Sequence, residues 1–342
     1  MQTSFFDYEN RLAKLNARDA LVRLNELIDW EIFRNTLEQS RNTTPRKSLA
    51  GRKPFDTVLM FKGLVLQHLY GFSDEELEYQ IRDRFTFMRF MSLTPEARIP
   101  DANTFWDFRE ALIKADVIKT LFNDFERHLV AQGVIAQKGQ IIDASFVDAP
   151  RQRNSREENA QIKAGEVPES FQKNPAKKRQ KDLDARWTKK NNESHYGYKN
   201  HVSIDNRHKI IRDYDVTAAS VHDSQVCSDI LANNTDVDVW ADSAYSSAAQ
   251  EAALAELNCI SHIHEKGYRN RPLSDAQKAS NKKKSKIRAR VEHVFGAMTN
   301  EMGGIIVRVI GLMRATAKVG MMNLVYNLKR FETLHRIGAL QN

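Results

Sequence analysis

The chain has 342 residues, 41% hydrophobic and 28% charged, the composition of a globular protein with room for two domains of about 150 residues each. A formal net charge of +8 and a sequence pI near 9.3 favour a polyanionic partner. No apolar run reaches the roughly 18 residues of a membrane span, no signal peptide opens the chain, and Cys227 and Cys259 form no CxxC pair. A membrane protein and a disulfide scaffold are excluded, and a reducing cytoplasm with unpaired thiols is expected.

From Met1 to about Val134 the pattern is helical throughout. Leu21, Leu24, Leu27, Ile28 and Trp30 form the first amphipathic segment. Arg41 to Pro54 is a polar, basic linker with Pro45, Gly51 and Pro54. Phe55 to Leu69 is nearly all apolar, as for a helix inside a bundle. Gly71 breaks it, and Ser73 at N-cap with Glu76 at N3 predicts a capping box. The following helix, Asp74 to about Phe90, carries Arg82, Arg84 and Arg89 among Phe85, Phe87 and Phe90. Another helix start falls at Pro100-Asp101. Helix, glycine turn and basic helix together have the outline of a helix-turn-helix; a plain structural bundle accounts for the pattern equally well.

Near Gly133 the periodicity changes. Lys138 to Val147 reads as a strand, with Asp143 in a β-rich run where aspartate is disfavoured. Asp148, five residues on, faces the other side of the sheet if the strand runs that far. Arg151 to Glu193 carries twelve Lys/Arg against seven Asp/Glu. Low in hydrophobics, it predicts a loose basic insertion, either a solvated linker or a flap over nucleic acid with Trp187 free to stack on a base. Strands resume at His195–Ile204 and His208–Val216. Val221–Leu231 looks helical, and Asp236–Ala241 alternates as a strand that delivers Asp242 at its carboxyl end, where ligands bind in open α/β sheets. Ser246 or Ser247 caps a helix Ala248–Leu257, and Cys259–His264 is a last short strand.

The segment Lys282–Asn300 predicts a helix. Its stripe is Ile287, Val291, Val294, Phe295 and Met298, its first turn is basic with Lys282, Lys283 and Lys284, and Arg288 and Glu292 are neighbours four apart. An ordinary solvated helix with a weak surface ion pair is the alternative. Ala317–Leu334 is amphipathic and is expected to pack on the core, with oligomerisation as a second possibility.

Asp143, Asp242 and Glu292 are three carboxylates from separate elements, the hard oxygen donors that Mg²⁺ or Mn²⁺ requires. Two such ions about 3.5–4 Å apart support phosphoryl transfer. His195, His201, His208 and His222 match no zinc spacing, Ser145 and Ser243 lack a nucleophile-elbow context, and no GxxxxGK[ST] loop is present.

The ordered set IIDASFVDAP, HYGYKNHV, VHDS at Val221–Ser224, WADSAY and IRARVEHVFG resembles insertion-sequence DDE transposases, most of all insertion-sequence family five. The resemblance runs from about Lys53 to Leu334 and takes in GRKPFD, HLYGFSDEELEYQI and IPDANTFWDFRE. It implies an α/β protein: a ribonuclease-H-like core at 135–336, with a basic insertion at about 150–193, after an all-helical DNA-binding or assembly domain at 1–134. It places the acidic triad on Asp143, Asp242 and Glu292, as catalytic residues and ligands of two Mg²⁺ or Mn²⁺ ions. In the related Y-(2)-R-(3)-E-(6)-K signature, Arg falls on Arg288 and Glu on Glu292. The Tyr and Lys positions are Ser285 and Thr299 here, which leaves Arg314, Lys318 or Lys282–Lys284 as substitutes. The expected partners are double-stranded DNA, as terminal inverted repeats and target, and a second subunit in the active complex; the expected location is cytoplasmic, at the nucleoid. Arg288, Lys282, Lys283, Lys284, Trp187 and Tyr245 are the candidate DNA contacts. A metal-dependent nuclease of the same fold and an inactive DNA-binding regulator are the alternatives.

Overall fold

The computed structural model describes residues 18–42, 53–190, 192–231 and 237–340. They fall into two compact units: residues 1–134 with 301–303 and 321–342, and residues 135–300 with 304–320. The predicted linker Arg41–Pro54 lies largely outside the described residues.

The described part of the first unit is helical: α1 (Ala20–Leu27), α2 (Arg34–Asn42), α3 (Thr57–Tyr70), α4 (Asp74–Asp83), α5 (Phe85–Phe90), α6 (Ala102–Lys114) and α7 (Ile118–Ala131). Helix α3 is buried along twelve of its fourteen residues, as its continuous apolar run predicts. It ends at Gly71, whose φ of 68° is left-handed; a Cβ there would stand 2.9 Å from Gly303 Cα, so glycine serves both the C-cap and the close approach. Ser73 Oγ accepts from Glu76 N at 3.1 Å, but the reciprocal half of the capping box is not formed, since Glu76 Oε1 accepts from Gln80 Nε2 instead. The predicted helix to Phe90 is two helices, because Arg84 takes an extended conformation between them. Its basic residues are engaged within the unit: Arg82 pairs with Glu78, Arg89 with Asp19, and Arg84 lies over the Phe87 ring.

The second unit is built on a six-stranded mixed sheet of β1 (Gln140–Asp148), β2 (Arg186–Lys190), β3 (Glu193–Asp205), β4 (Ile211–Ala218), β5 (Asp238–Trp240) and β6 (Ile260–Ser261). β1 runs antiparallel to β3 and parallel to β5, which is parallel to β6. β3 is long enough to take two further antiparallel partners in turn, β2 along Glu193–Gly197 and β4 along Tyr198–Ile204. Gly197 sits at the changeover with φ 148°, and a Cβ there would lie 2.2 Å from the Val147 carbonyl oxygen. The predicted strands are thus present with shifted ends, and the sheet runs far enough for Asp148 to pair with Gly197. The expected helix at Val221–Leu231 is shorter, a 3-10 turn Asp223–Gln225 followed by α11 (Cys227–Leu231). Ile142, Val239, Tyr245, Leu254 and Ile263 form an apolar core with that helix and α12 (Ala248–Glu256).

The segment between β1 and β2 is not loose. It folds into α8 (Arg156–Lys163), α9 (Glu169–Gln172) and α10 (Pro175–Arg179), with Phe171 fully buried and Ile162 nearly so. Buried Asp182 ties it down: its carboxylate accepts from Asp184 N, Ala185 N, Tyr198 Oη and Gly311 N. Two apolar anchors and one polar hub hold a segment whose average composition predicts disorder.

The predicted helix Lys282–Asn300 is also two helices. α13 (Asp275–Arg288) starts seven residues earlier, at a capping box of Ser274 and Gln277. A 3-10 turn, Ala289–Val291, leads into α14 (Glu292–Glu301). Lys282–Lys284 therefore lie in mid-helix and not in a first turn. Val291, Val294 and Met298 are buried as the stripe predicts. The last helix, α15 (Leu312–Arg336), buries Leu324, Val325, Leu328 and Phe331 and groups with the first unit from Met321 onward. Among the described residues no helix is long and apolar enough to cross a membrane.

Candidate active site

One open cleft of about 570 Å³ is lined by Asp143, Ala144, Ser145, Phe146, Lys190, Glu193, His195, Asp242, Arg288, Glu292 and Phe295. Four of the residues singled out in the sequence, Asp143, Asp242, Arg288 and Glu292, come together there from β1, the end of β5, the end of α13 and the start of α14. Local structure fixes each. Asp143 lies mid-strand, opposite Val202, and its Oδ1 accepts from Ala144 N at 2.9 Å. Asp242 caps the 3-10 turn Ser243–Tyr245, its Oδ1 accepting from Ala244 N at 2.7 Å. Glu292 stands in the first turn of α14, where the helix dipole favours an acid.

Asp143 is 8% exposed. Burial pushes its carboxyl up to about 6, against the opposing pull of Arg288. Arg288 Nη1 donates to Asp143 Oδ2 at 2.7 Å, so the arginine pairs with the strand aspartate and not with Glu292 four residues along its own helix. Period alone gave the neighbour on the helix; the tertiary fold supplied a better-desolvated partner.

The remaining candidates do not line the cleft. Tyr245 is a correction: its ring is fully buried in the core beside Ile142 and Leu254 and presents no face to a base. Lys284 Nζ donates to the Ile263 carbonyl at 2.8 Å, while Lys282 and Lys283 are exposed on α13. Trp187 is 47% exposed on β2, tilted on Tyr196 with the Arg151 guanidinium 5.6 Å from its ring.

Three titratable cleft residues are not read as site residues from the sequence: Lys190 and Glu193, which are not singled out, and His195, weighed only as a zinc ligand and set aside; all three lie on the β2–β3 hairpin. The signal was present in WTKK and HYGYK, but nothing local says that this hairpin borders the acids. The His195 ring stacks on Phe146 with centroids 4.0 Å apart and planes 9° from parallel.

The model of the Transposase DDE domain matches residues 136–328, more than half of the chain, and that of the Transposase domain (DUF772) matches residues 9–111. The mixed sheet with acids along one cleft is accordingly the ribonuclease-H-like core of a DNA-processing enzyme. The chain belongs to the DDE transposase family, enzymes that cut and join DNA. A cryo-EM structure of the piggyBac transposase synaptic complex with hairpin DNA is 12% identical, with a TM-score of 0.47 over 94% of this chain and 76% of that one.

The family uses divalent metal ions in general. The donors in the cleft suit a hard cation, since Asp143, Asp242, Glu292 and Glu193 offer only carboxylate oxygen. Among the described residues no three His, Cys, Asp or Glu side chains are yet gathered as ligands. Asp143 Oδ2 is held by Arg288 instead.

Proposed function

We propose that this transposase, of the family-five group, binds the terminal inverted repeats of its own element through its helical first unit. Asp143, Asp242 and Glu292 are its catalytic carboxylates and hold two Mg²⁺ or Mn²⁺ ions. The observation that carries this reading is the convergence of three acids, 99 and 50 residues apart in the sequence, on one open cleft. Such ions, when bound, activate the attacking oxygen and stabilise the leaving 3′ oxygen.

The chain's own groups prepare that chemistry. The Ala144 amide and the Arg288 guanidinium fix both oxygens of Asp143, and the Ala244 amide orients Asp242. Arg288 offsets the burial of Asp143 and adds positive charge at the edge of the space where a phosphodiester lies. Water attacks the phosphorus at the element end, and the P–O3′ bond breaks to leave a 3′ hydroxyl. That hydroxyl then attacks a target phosphodiester, displacing its 3′ oxygen. Cutting two ends and joining both requires at least a dimer, which acts on DNA at the nucleoid. Trp187, half exposed on a basic strand, is a stacking contact for a splayed base.

The test is cleavage and joining of a labelled plasmid carrying the element ends, with Mg²⁺ or Mn²⁺, for wild type and Glu292→Gln. Metal-dependent cutting and joining, lowered about 10³-fold by the amide with DNA binding retained, is expected. Cutting at the wild-type rate by Glu292→Gln overturns the site, and cutting without joining reassigns the enzyme as a nuclease.

A further inference from the structure

The cleft contains an electrostatic problem that the triad alone does not solve. Four carboxylates line it, and a phosphodiester carries a negative charge of its own. Of the cations nearby, Arg288 is committed to Asp143, and Lys284 to the Ile263 carbonyl. Lys190 is different. It is the last residue of β2, paired in register with Glu193, yet among the described residues no carboxylate lies within ion-pair distance of it. Its Nζ stands 5.8 Å from the centre of the Phe146 ring, in the same cleft as Asp143.

His195, five residues on, is fixed from two directions. Its ring lies flat on Phe146, and its Nδ1 is 3.7 Å from Asp148 Oδ1, an ion pair only when the imidazole is protonated. Nε2 is left without a protein partner among the described residues. Both side chains come from one hairpin, which is set by the pairing of β3 with β1 and β2. An exposed lysine at a hairpin end is ordinarily just solvated. Here it shares a cleft with four acids.

We infer that Lys190 and His195, on the hairpin that also carries Glu193, bind phosphate at this edge of the cleft, Lys190 Nζ and Nε2 of the protonated His195 ring donating to nonbridging oxygens of the DNA phosphodiester being cut. This rests on the transposase reading of the same cleft and adds to it the residues that hold the substrate. Asp148 and Phe146 are positioning residues for the imidazole.

The full-length chain carries the test, as Lys190→Gln, Lys190→Arg, His195→Ala and His195→Gln. Binding of a fluorescein-labelled DNA duplex is followed against salt, and single-turnover cleavage of the plasmid with Mn²⁺ is timed. For Lys190→Gln the salt slope falls by about 0.9, one phosphate contact, and cleavage slows about 10²-fold. Lys190→Arg restores most of both. His195→Gln, whose amide reaches the Nε2 position, keeps more cleavage than His195→Ala. Unchanged thermal midpoints separate these effects from misfolding. Lys190→Gln that binds with the wild-type slope and cuts at the wild-type rate overturns the inference while leaving the transposase reading intact. A wild type that neither binds nor cuts removes the transposase reading, and this one with it.

Discussion

The two walls of the cleft are built on opposite principles. The carboxylate wall is assembled from segments far apart in the chain, and each is backed by apolar burial: Ile141 and Ile142 beside Asp143, Val239 and Ala241 before Asp242, Val291 and Val294 around Glu292. The hairpin wall is one local stretch with few apolar residues. It hangs on Asp182, which accepts the Tyr198 hydroxyl and amides from three further residues, and on the stack of His195 over Phe146. Packing fixes the three acids. Hydrogen bonds and ring contacts hold the hairpin's polar groups.

Arg288→Ala attacks the first wall where it is most exposed to failure. It leaves Asp143 buried without its cation, at a cost of about 3 kcal/mol when the carboxylate is charged. The Asp143 carboxyl stands at about 6 with Arg288 in place; without the cation it is raised further, so in the variant it takes up a proton first and the cost fades as the pH falls toward 6. The fall in thermal midpoint relative to wild type is therefore greatest well above pH 6 and largely gone below it; a deficit independent of pH would show that the pair is not the cause.

Asp182→Ala attacks the second wall, stranding buried donors at a cost of about 2 kcal/mol. Limited proteolysis should then cut first between Arg151 and Glu193, with the sheet core intact. Loss of the whole unit in one step would mean that the two walls are not separable.

Trp187→Ala sharpens the contrast at the hairpin's surface. Single-stranded DNA binding should weaken by about 1 kcal/mol, read by titration of a labelled oligonucleotide, with the thermal midpoint unmoved. At the bottom of the scale, the exposed Lys278–Asp275 pair on α13 should contribute less than about 0.5 kcal/mol. A larger loss in Lys278→Ala by chemical denaturation would indicate that α13 depends on its surface charges.

The acids of the first wall were legible because each sits in a motif with a local reason: an aspartate in a β-rich run, an aspartate at a strand's end, a glutamate beside an arginine on an apolar stripe. Lys190, Glu193 and His195 were not legible as site residues, because their place depends on which partner β3 takes on either side of Gly197. Tyr245 was misread because a single 3-10 turn after Asp242 sends its ring inward, a direction no periodicity encodes. Asp275–Asn281 was overlooked as helix because it has no apolar face; its capping box was the available sign. The folded state of the segment after β1 was hidden by averaging, since composition weighs Phe171 and Asp182 no more than any surface lysine.

The parallel pairing of β1 with β5 spans only Gln140↔Val239 and Ile141↔Trp240, yet it joins parts of the chain made about a hundred residues apart. Helix α14, which carries Glu292, is made later still. A chain emerging from the ribosome can form the β2–β3 and β3–β4 pairings early, from near neighbours, whereas the cleft must wait for these distant closures. During synthesis the hairpin with Lys190 and His195 thus precedes the completed cleft, and a product interrupted before α14 lacks Glu292.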